Sequence, residues 1–387
     1  MHALERPLTA ELERLATAGL TRHRRLLASP CGPRAVVEGQ EMLAFASNDY
    51  LGLAAHPDIA RALADAALVW GAGSGASHLV SGHLCPHAEL ESRLAAFTGF
   101  DRCLTFSTGY LANLAVTPTL AARRDDEIFA DRLNHASLID AAQLSRARHQ
   151  RYPHGDMATL ERLLAASVAR TKLIVSDAVF SMDGDLAPLA KLFALAERFD
   201  AWLVIDDAHG FGVLGPQGRG SLAHCGLPAH PRVLLMGTLG KAAGVGGAFV
   251  AGSELAIEYL LQKARSYIFT TAQPPSIAAA LIRSLELIAA GDDRRAHLQS
   301  LIRQLQAGCA NLPWRLLPSQ TAIQPLIVGD NEKALALSRS LWEQGLWVAA
   351  IRPPTVPAGT ARLRISLSAA HRHEDVAALT SALQSLA

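Results

Sequence analysis

The sequence predicts an α/β fold with a large domain, built on a mostly parallel central sheet, and a smaller α+β domain. Helical patterns separate most of a series of short apolar runs, and alternating helices and strands predict a parallel sheet. After about residue 285 the elements become shorter and mixed. The runs have the character of strands covered by helices on both faces: Cys103–Phe106, Glu127–Ala130, Lys172–Ser176, Trp202–Ile205, Val233–Met236 and Ala248–Ala251.

The remaining elements follow from periodicity. Leucines spaced through residues 4–28 predict an N-terminal helix, and two short strands are expected at Ala35–Val37 and Met42–Phe45. The predicted divisions are an N-terminal helix with short strands (1–46), the large domain (47–285) and the small α+β domain (286–387). The elements expected in the small domain are Ala290–Cys309, Trp314–Leu316, Ile323–Val328, Asn331–Gln344, Val348–Ile351, Ala361–Ser366 and Glu374–Leu386.

Composition limits the class of protein. Hydrophobic residues make up 50% of the 387 residues and charged residues 18%, which excludes a disordered chain. With 36 Lys and Arg against 35 Asp and Glu, the chain lacks the basic excess of a typical nucleic-acid binder. Five cysteines form no CxxC pair, and no apolar run approaches the roughly 18 residues of a membrane span. Charges among the first 25 residues argue against a signal peptide, so we expect a soluble cytoplasmic protein.

The segment Gly237–Gly247 (GTLGKAAGVGG) places Lys241 directly after a predicted strand. Ligands of open α/β sheets bind at the carboxyl ends of the strands, and glycines let the backbone approach a ligand closely. Desolvation in such a setting lowers the pKa of a lysine and makes it a better nucleophile, whereas a surface lysine in a flexible loop is the alternative. A phosphate-binding P-loop is excluded, because Leu235 and Ala242 stand where glycine and a hydroxyl residue are required.

Acidic residues and a histidine end the predicted strand Trp202–Ile205. Asp206 follows the strand at once, and His209 lies three residues further on. A carboxylate here could keep a pyridinium nitrogen protonated, and the histidine could bond an oxygen on the same ring. A solvated Asp–Asp turn is the alternative interpretation.

Two more strand ends carry polar residues. Gly109 and Tyr110 lead into a predicted helix whose free N–H groups and dipole form a phosphate site. His135 follows the strand that ends at Ala130. A single histidine is usually structural, but several polar ends that meet at one edge of a sheet indicate a ligand site.

Taken together, these residues resemble the pyridoxal-phosphate enzymes of the aspartate-aminotransferase type (fold type I), and more narrowly the α-oxoamine synthases. His78 departs from the arginine that many members carry. The matching motifs span about residues 20–371 and are specific in combination: Ser47–Leu53 (SNDYLGL), Gly73–Gly82 (GSGASHLVSG), Phe180–Asp185 (FSMDGD), Asp206–Gly210 (DDAHG), Gly237–Ala242 (GTLGKA) and Arg362–His371 (RLRISLSAAH).

The resemblance implies a role for each matching residue. Lys241 would carry pyridoxal 5'-phosphate covalently and act as the base, Asp206 would pair with the pyridinium nitrogen, and His135 would stack on the ring and assist catalysis. The other residues that would hold the cofactor are Gly109, Tyr110, Ser181, His209, Thr238 and, from a neighbouring subunit of a homodimer, Thr270 and Thr271. The substrate-binding residues would be His135, Arg352, Thr355 and Arg22, with Arg24 or Arg25 as alternatives to Arg22. No metal site is implied.

The loop Arg352–Pro357 (RPPTVP) narrows the resemblance to members that join L-alanine to a pimeloyl thioester in biotin biosynthesis. Members that act on glycine or serine usually lack the leading Arg-Pro-Pro. The implied activity is a decarboxylative condensation of L-alanine with pimeloyl-CoA or a pimeloyl carrier protein, without nucleic-acid or membrane partners. Another α-oxoamine synthase, using glycine or serine with a different acyl-CoA, is the alternative.

Three rival interpretations rest on other features of the sequence. Gly71–Ala76 satisfies the G-x-G-x-x-A dinucleotide pattern, but a helical pattern precedes it where a strand is required. His83, Cys85 and His87 alternate in the manner of metal ligands, but Pro86 interrupts them and no fourth ligand is evident. A non-catalytic member of the same fold would have lost the lysine, the aspartate or the glycines, and this chain keeps them all.

Overall fold

The computed structural model describes residues 4–387. Its strands are β1 Arg34–Val37, β2 Gln40–Ala44, β3 Arg102–Phe106, β4 Glu127–Asp131, β5 Arg148–Tyr152, β6 Lys172–Asp177, β7 Trp202–Asp206, β8 Val233–Thr238, β9 Ala248–Gly252, β10 Arg315–Leu316, β11 Ile323–Gly329, β12 Leu346–Trp347, β13 Ala349–Ile351 and β14 Ala361–Ser366. Its α-helices are α1 Arg6–Thr17, α2 Pro57–Trp70, α3 Cys85–Thr98, α4 Gly109–Leu120, α5 Ala136–Leu144, α6 Met157–Ala166, α7 Leu189–Arg198, α8 Ser221–His224, α9 Glu254–Lys263, α10 Arg265–Ile268, α11 Pro275–Ala289, α12 Asp292–Cys309, α13 Asn331–Glu343 and α14 His373–Ser385.

A seven-stranded sheet in the order β3-β9-β8-β7-β6-β4-β5 forms the centre of the molecule. The strands β5, β4, β6, β7 and β8 run parallel, and β9 lies antiparallel to both β8 and β3. The two strands joined by the glycine-rich loop, β8 and β9, are therefore antiparallel. This arrangement also leaves β3 parallel to β8, so that the carboxyl ends of β3, β4, β6, β7 and β8 share one edge of the sheet.

Helices cover both faces of this sheet, as the apolar runs predict. Along β7, Leu203 and Ile205 belong to one hydrophobic cluster, while Val204 between them belongs to the other. Successive strand side chains point to opposite faces, so both faces are buried. A central strand such as β7 is therefore apolar along its length until its last residue, Asp206, where the polar groups begin.

Two smaller sheets complete the fold. β10, β11, β14 and β13 form an antiparallel sheet, and β12 extends the β1–β2 hairpin into a three-stranded sheet through a parallel pairing with β2. The strands near the N-terminus thus pair with a strand of the C-terminal region. The boundaries 1–46, 47–285 and 286–387 stay a prediction.

Two elements differ from their sequence-based expectation. The N-terminal helix α1 ends at Thr17, well before residue 28, and Gly19 follows with a φ of +65°, the left-handed conformation that commonly terminates helices. The strand β5 was not predicted. Its sequence, Arg148 to Tyr152 (RHQRY), is mostly polar because it pairs on one side only and forms an edge of the sheet.

The dinucleotide-binding interpretation is wrong. Gly71 directly follows helix α2, whereas a dinucleotide fingerprint requires a strand before its first glycine. Among the described residues, no helix is both long and apolar enough to cross a membrane.

An ion pair ties the four-stranded sheet to the segment that follows β6. Arg362 on β14 bonds Asp183 at 2.6 Å and the main-chain oxygen of Met182 at 3.0 Å, and only 4% of its side chain is exposed. We expect Asp183→Ala to lower the free energy of unfolding by about 3 kcal/mol, because it leaves a buried guanidinium without its carboxylate. Urea denaturation measures the change.

Asp200→Asn is the matched control, because asparagine tolerates the φ of +48° at this position, which would strain alanine. Asp200 pairs with Arg232 at 3.1 Å, but 94% of its side chain is exposed, so its removal should cost much less. Equal losses in the two variants would contradict the assignment of the Arg362 pair as a buried contact.

Candidate active site

Polar side chains gather where the parallel strands end. Asp206 closes β7, Thr238 closes β8 and Asp177 closes β6, while His135 follows β4 and Gly109 follows β3. The strands are hydrogen-bonded neighbours, apart from the inserted β9, so their carboxyl ends bring these groups to one edge of the sheet. This is the edge at which open α/β sheets bind ligands.

Lys241 meets His209 at this edge. The lysine Nζ lies 2.8 Å from His209 Nε2, and His209 Nδ1 lies 2.6 Å from the Tyr50 hydroxyl. The tyrosine hydroxyl in turn donates to Asn48 Oδ1 at 3.0 Å. Because that hydroxyl has only one hydrogen, it accepts from His209 Nδ1, which leaves His209 Nε2 to accept from Lys241.

Burial and neighbouring charges set the protonation of these groups. Removal from water lowers the pKa of Lys241 to about 8; Asp206 and Asp177 oppose this shift, and Arg364 adds to it. Burial, and then the charge of Lys241, also lowers the pKa of His209 well below its usual value. At a pKa of about 8, roughly a tenth of the lysine amine is uncharged at pH 7, and this uncharged form is the one that acts as a nucleophile or base.

Asp206 is held by two donors. Its Oδ1 accepts the Ala208 main-chain N–H at 3.0 Å, and its Oδ2 accepts from Asn113 Nδ2 at 2.8 Å. The same amide nitrogen also lies 2.8 Å from Ser137 Oγ, which lies 2.7 Å from His135 Nδ1. The carboxylate is therefore fixed in position by groups from the turn after β7 and from α4.

The segment around Gly109 fits a phosphate. Thr108 caps helix α4 by accepting the Leu111 N–H at 3.2 Å. The N–H groups of Gly109 and Tyr110 have no partner among the described residues, so they can bind an anion. A Cβ atom at Gly109 would lie 3.5 Å from Met236 and 3.9 Å from Thr238, so the absence of a side chain keeps the space beside Thr238 open. Together with a buried amine and a fixed carboxylate, this donor set suits pyridoxal phosphate.

The glycine loop that carries Lys241 packs tightly on the loop before α2. Gly244 has a φ of +70°, and a Cβ atom there would lie 2.5 Å from the Ala54 nitrogen. Only glycine fits this approach. The contact joins the GTLGKA and SNDYLGL segments, and so brings Tyr50 to the site.

The predicted substrate residues lie around the loop after β13. Arg352 bonds the main-chain oxygen of Gly19, and its own carbonyl accepts the Thr355 N–H at 3.0 Å. Arg25 pairs with Glu38 at 2.6 Å and stacks on Trp342. Arg22 and Arg24 are exposed and have no hydrogen bond or ion pair within residues 4–387, which makes Arg25 the least available of the three arginines.

Four other predicted cofactor-binding residues, Tyr110, Ser181, Thr270 and Thr271, make no hydrogen bond to Lys241 among the described residues. The Tyr110 hydroxyl bonds Asp140, and Tyr110 is 42% exposed. Ser181 offers its main-chain oxygen to Arg364 at 2.7 Å. Thr271 pairs with Ser77, and no hydrogen bond in the described part of the chain links Thr270 or Thr271 to Lys241.

Sequence reasoning missed several residues of this site. Tyr50 and Asn48 lie in the SNDYLGL motif, and Arg364 lies in RLRISLSAAH, where it bonds Asn48 at 3.2 Å. These motifs indicated the family but no role for the residues within them. Asn113 and Ser137 lie on helices α4 and α5, one turn or less from predicted residues, and no sequence signal marked them.

The rival metal site, formed by His83, Cys85 and His87, does not assemble in the structure. His83 and His87 approach each other, but Cys85 is exposed and His78 takes its place, with ligand atoms within 4.8 Å of one another. Both ring nitrogens of His87 are already bonded, to the Leu84 N–H at 3.0 Å and to the Gln273 carbonyl at 2.8 Å. The group therefore lacks a complete set of free lone pairs.

Comparisons with known proteins agree with this geometry. Residues 40–383 match the model of the aminotransferase class I and II family. The 8-amino-7-oxononanoate synthase of Dechloromonas aromatica is 71% identical over 387 residues, covering 99% of this chain and all of that protein.

Solved structures show the same likeness. A structure of SPT (serine palmitoyltransferase) with a PLP internal aldimine superposes with a TM-score of 0.93 at 31% identity, covering 100% of this chain and 98% of that one. The 8-amino-7-oxononanoate synthase of Francisella tularensis superposes with a TM-score of 0.77 at 31% identity, covering 89% of this chain and 98% of that one. The fold is therefore that of the pyridoxal-phosphate enzymes of fold type I.

The charges around Lys241 predict that two variants shift the pKa of this lysine in opposite directions. We expect Asp206→Asn to lower the pKa of Lys241 below about 8, because a neighbouring negative charge is lost, and Arg364→Met to raise it, because a positive charge is lost. The measurement is the pH dependence of reductive methylation at Lys241 in cofactor-free protein, read by mass spectrometry. Methylation should rise as pH passes through the pKa.

Exposed Lys263 in the same samples corrects for the pH dependence of the reagent. Shifts of the same sign in both variants would contradict the electrostatic account.

Proposed function

Because the chain belongs to the aminotransferase class I and II family, we propose that it is a pyridoxal-phosphate-dependent 8-amino-7-oxononanoate synthase. The observation that carries this proposal is the 71% identity, over both full lengths, to the enzyme of that name. The reaction joins L-alanine to a pimeloyl thioester with loss of carbon dioxide, a step of biotin biosynthesis. The buried amine of Lys241 and the fixed carboxylate of Asp206 supply the groups that this chemistry needs.

Pyridoxal phosphate, when bound, supplies an electron sink for negative charge at the α-carbon of the amino acid. Lys241 would hold its aldehyde, and the free N–H groups of α4 with Thr238 would hold its phosphate. Asp206 would face the pyridinium nitrogen, and His209, held by Tyr50, would face the ring oxygen. His135 would lie against the ring.

The side chains then act on the substrates. Arg352 binds the alanine carboxylate, since a guanidinium matches that group with two parallel hydrogen bonds. The amine of Lys241, uncharged in part near neutral pH, takes the Cα proton. The α-carbon bonds to the thioester carbonyl carbon and the C–S bond breaks, releasing the thiol. The alanine carboxylate then leaves as carbon dioxide, and a proton returns to the α-carbon.

We also propose a cytoplasmic homodimer with shared active sites. In support, Thr271 pairs with Ser77, and neither Thr270 nor Thr271 has a hydrogen bond to the Lys241 cluster among residues 4–387, as expected if they serve the neighbouring subunit. Helix α1 has no buried residue, and its Leu8 and Leu12 are more than 60% exposed, which leaves an apolar face for a partner.

A substrate panel tests the proposed reaction. We expect thiol release from pimeloyl-CoA with L-alanine, and much slower release when glycine or serine replaces alanine or when a longer acyl-CoA replaces pimeloyl-CoA. Thiol release and 8-amino-7-oxononanoate are measured together. A preference for glycine or serine would select the alternative α-oxoamine synthase.

Lys241→Ala is the matched loss-of-function variant, and it should reduce turnover by about a thousandfold or more because it removes the base. Lys263→Ala, at an exposed lysine of α9, should leave the rate unchanged. Turnover of Lys241→Ala at the wild-type rate would disprove the mechanism.

Arg352→Lys separates amino-acid binding from cofactor binding. A lysine cannot make two parallel hydrogen bonds to a carboxylate, so we expect KM for L-alanine to rise about 10-fold to 100-fold. The absorption of the bound cofactor in the absence of substrate should not change. Arg303→Lys, at an exposed arginine of α12 far from the predicted substrate residues in sequence, is the control. An unchanged KM in Arg352→Lys would refute the assignment.

A further inference from the structure

A buried amide connects the two sides of the proposed site. Asn113 on helix α4 is fully buried, and its Nδ2 lies 2.8 Å from both Asp206 Oδ2 and Ser137 Oγ. Its Oδ1 has no hydrogen-bond partner among the described residues. A buried carbonyl oxygen without a hydrogen bond lowers stability. The two hydrogen bonds of the Asn113 nitrogen must therefore hold the amide in this orientation.

The opposite orientation of the amide is excluded. With Oδ1 turned toward Asp206 and Ser137, both of those side chains would have to donate, and both N–H groups of Asn113 would be buried without an acceptor. Asp206 already accepts the Ala208 N–H. Asn113 therefore gives one hydrogen to Asp206 and the other to Ser137.

The direction of the next hydrogen bond follows. Ser137 Oγ receives a hydrogen from Asn113, so its own hydrogen is free for His135 Nδ1, 2.7 Å away. The Ser137 main-chain N–H also lies 3.3 Å from the same nitrogen. Two donors aimed at Nδ1 require a lone pair there, and the neutral imidazole then carries its proton on Nε2.

We propose that Asn113 and Ser137 are positioning residues that hold His135 with its proton on Nε2. His135 then presents an N–H donor to oxygen atoms of the substrates and cannot accept a proton as a base. The residue is exposed, and its Nε2 has no partner among residues 4–387, so this donor is free for a substrate. The identity of the substrate that this N–H group would bind rests on the proposed function, whereas the tautomer of His135 does not.

The same amide also bonds the carboxylate that would face the cofactor ring. One side chain thereby orders both Asp206 and, through Ser137, the histidine that would lie against the ring. Removal of the serine hydroxyl should disturb only the second of these, whereas removal of the amide should disturb both.

The test begins with the tautomer. In pyridoxal-phosphate-loaded full-length protein with isotope-labelled histidine nitrogens, we expect an unprotonated Nδ1 signal and a protonated Nε2 signal for His135, assigned with His135→Gln. Ser137→Ala should give a mixture of tautomers, and Asn113→Ala should do the same. Ser145→Ala, at the C-terminal end of the same helix α5, should leave the His135 signals unchanged.

Kinetic measurements distinguish the role of His135 as a hydrogen-bond donor from that of Lys241 as the base. With Ser137→Ala, thiol release from pimeloyl-CoA should fall about tenfold in kcat. Exchange of the alanine Cα proton with deuterated water, measured without thioester, should stay within about twofold because Lys241 remains the base. If wild-type enzyme shows the expected tautomer but releases no thiol, the substrate assignment fails and the tautomer stands.

Three results would overturn the proposal. They are a proton on Nδ1 in the wild-type enzyme, unchanged His135 signals in both Ser137→Ala and Asn113→Ala, and a loss of Cα-proton exchange equal to the loss of thiol release.

Discussion

The partial burial of the Lys241 amine at the edge of the central sheet is the constraint on which the rest of the site depends. An amine taken out of water loses its charge more readily, but two carboxylates on neighbouring strands favour the charged form. The pKa of about 8 is the balance of these opposing effects. Without the burial the pKa of Lys241 would rise, and without the two carboxylates it would fall further.

The parallel sheet makes this balance possible. Strands whose carboxyl ends share one edge can each contribute a single polar residue while the rest of the strand stays buried between helices. Asp177, Asp206 and Thr238 are the last residues of three adjacent strands. The site is therefore built from several strand ends and not from one loop. The helices that follow β3 and β4 add their N-terminal N–H groups and the Asn113–Ser137 hydrogen bond at the same edge of the sheet.

Much of this arrangement could be predicted from the sequence. Runs such as Trp202–Ile205 are apolar because both faces of their strand are buried, and the polar residues that follow mark the strand end. Other parts could not be predicted. β5 is an edge strand with a mostly polar sequence, and the helix at the N-terminus stops at a glycine that the leucine spacing did not reveal.

The site residues divide in the same way. Lys241, Asp206 and His209 lie at strand ends in glycine-rich or acidic segments, where the local sequence indicates a ligand. Asn113 lies within an ordinary helix, and only the three-dimensional packing of α4 against β7 and α5 gives it a role. Likewise, Tyr50 reaches His209 across 159 positions of sequence, a distance over which spacing carries no information.

In the proposed reaction Arg352 binds the amino-acid carboxylate, so its hydrogen bond to the Gly19 carbonyl would connect the start of the chain to substrate binding. A guanidinium has five N–H groups, so it can keep this tether while it offers others to a carboxylate. The residues after α1 therefore help to fix the orientation of the Arg352 side chain. Removal of the residues up to Gly19 would remove this hydrogen bond and leave the guanidinium free to adopt other rotamers.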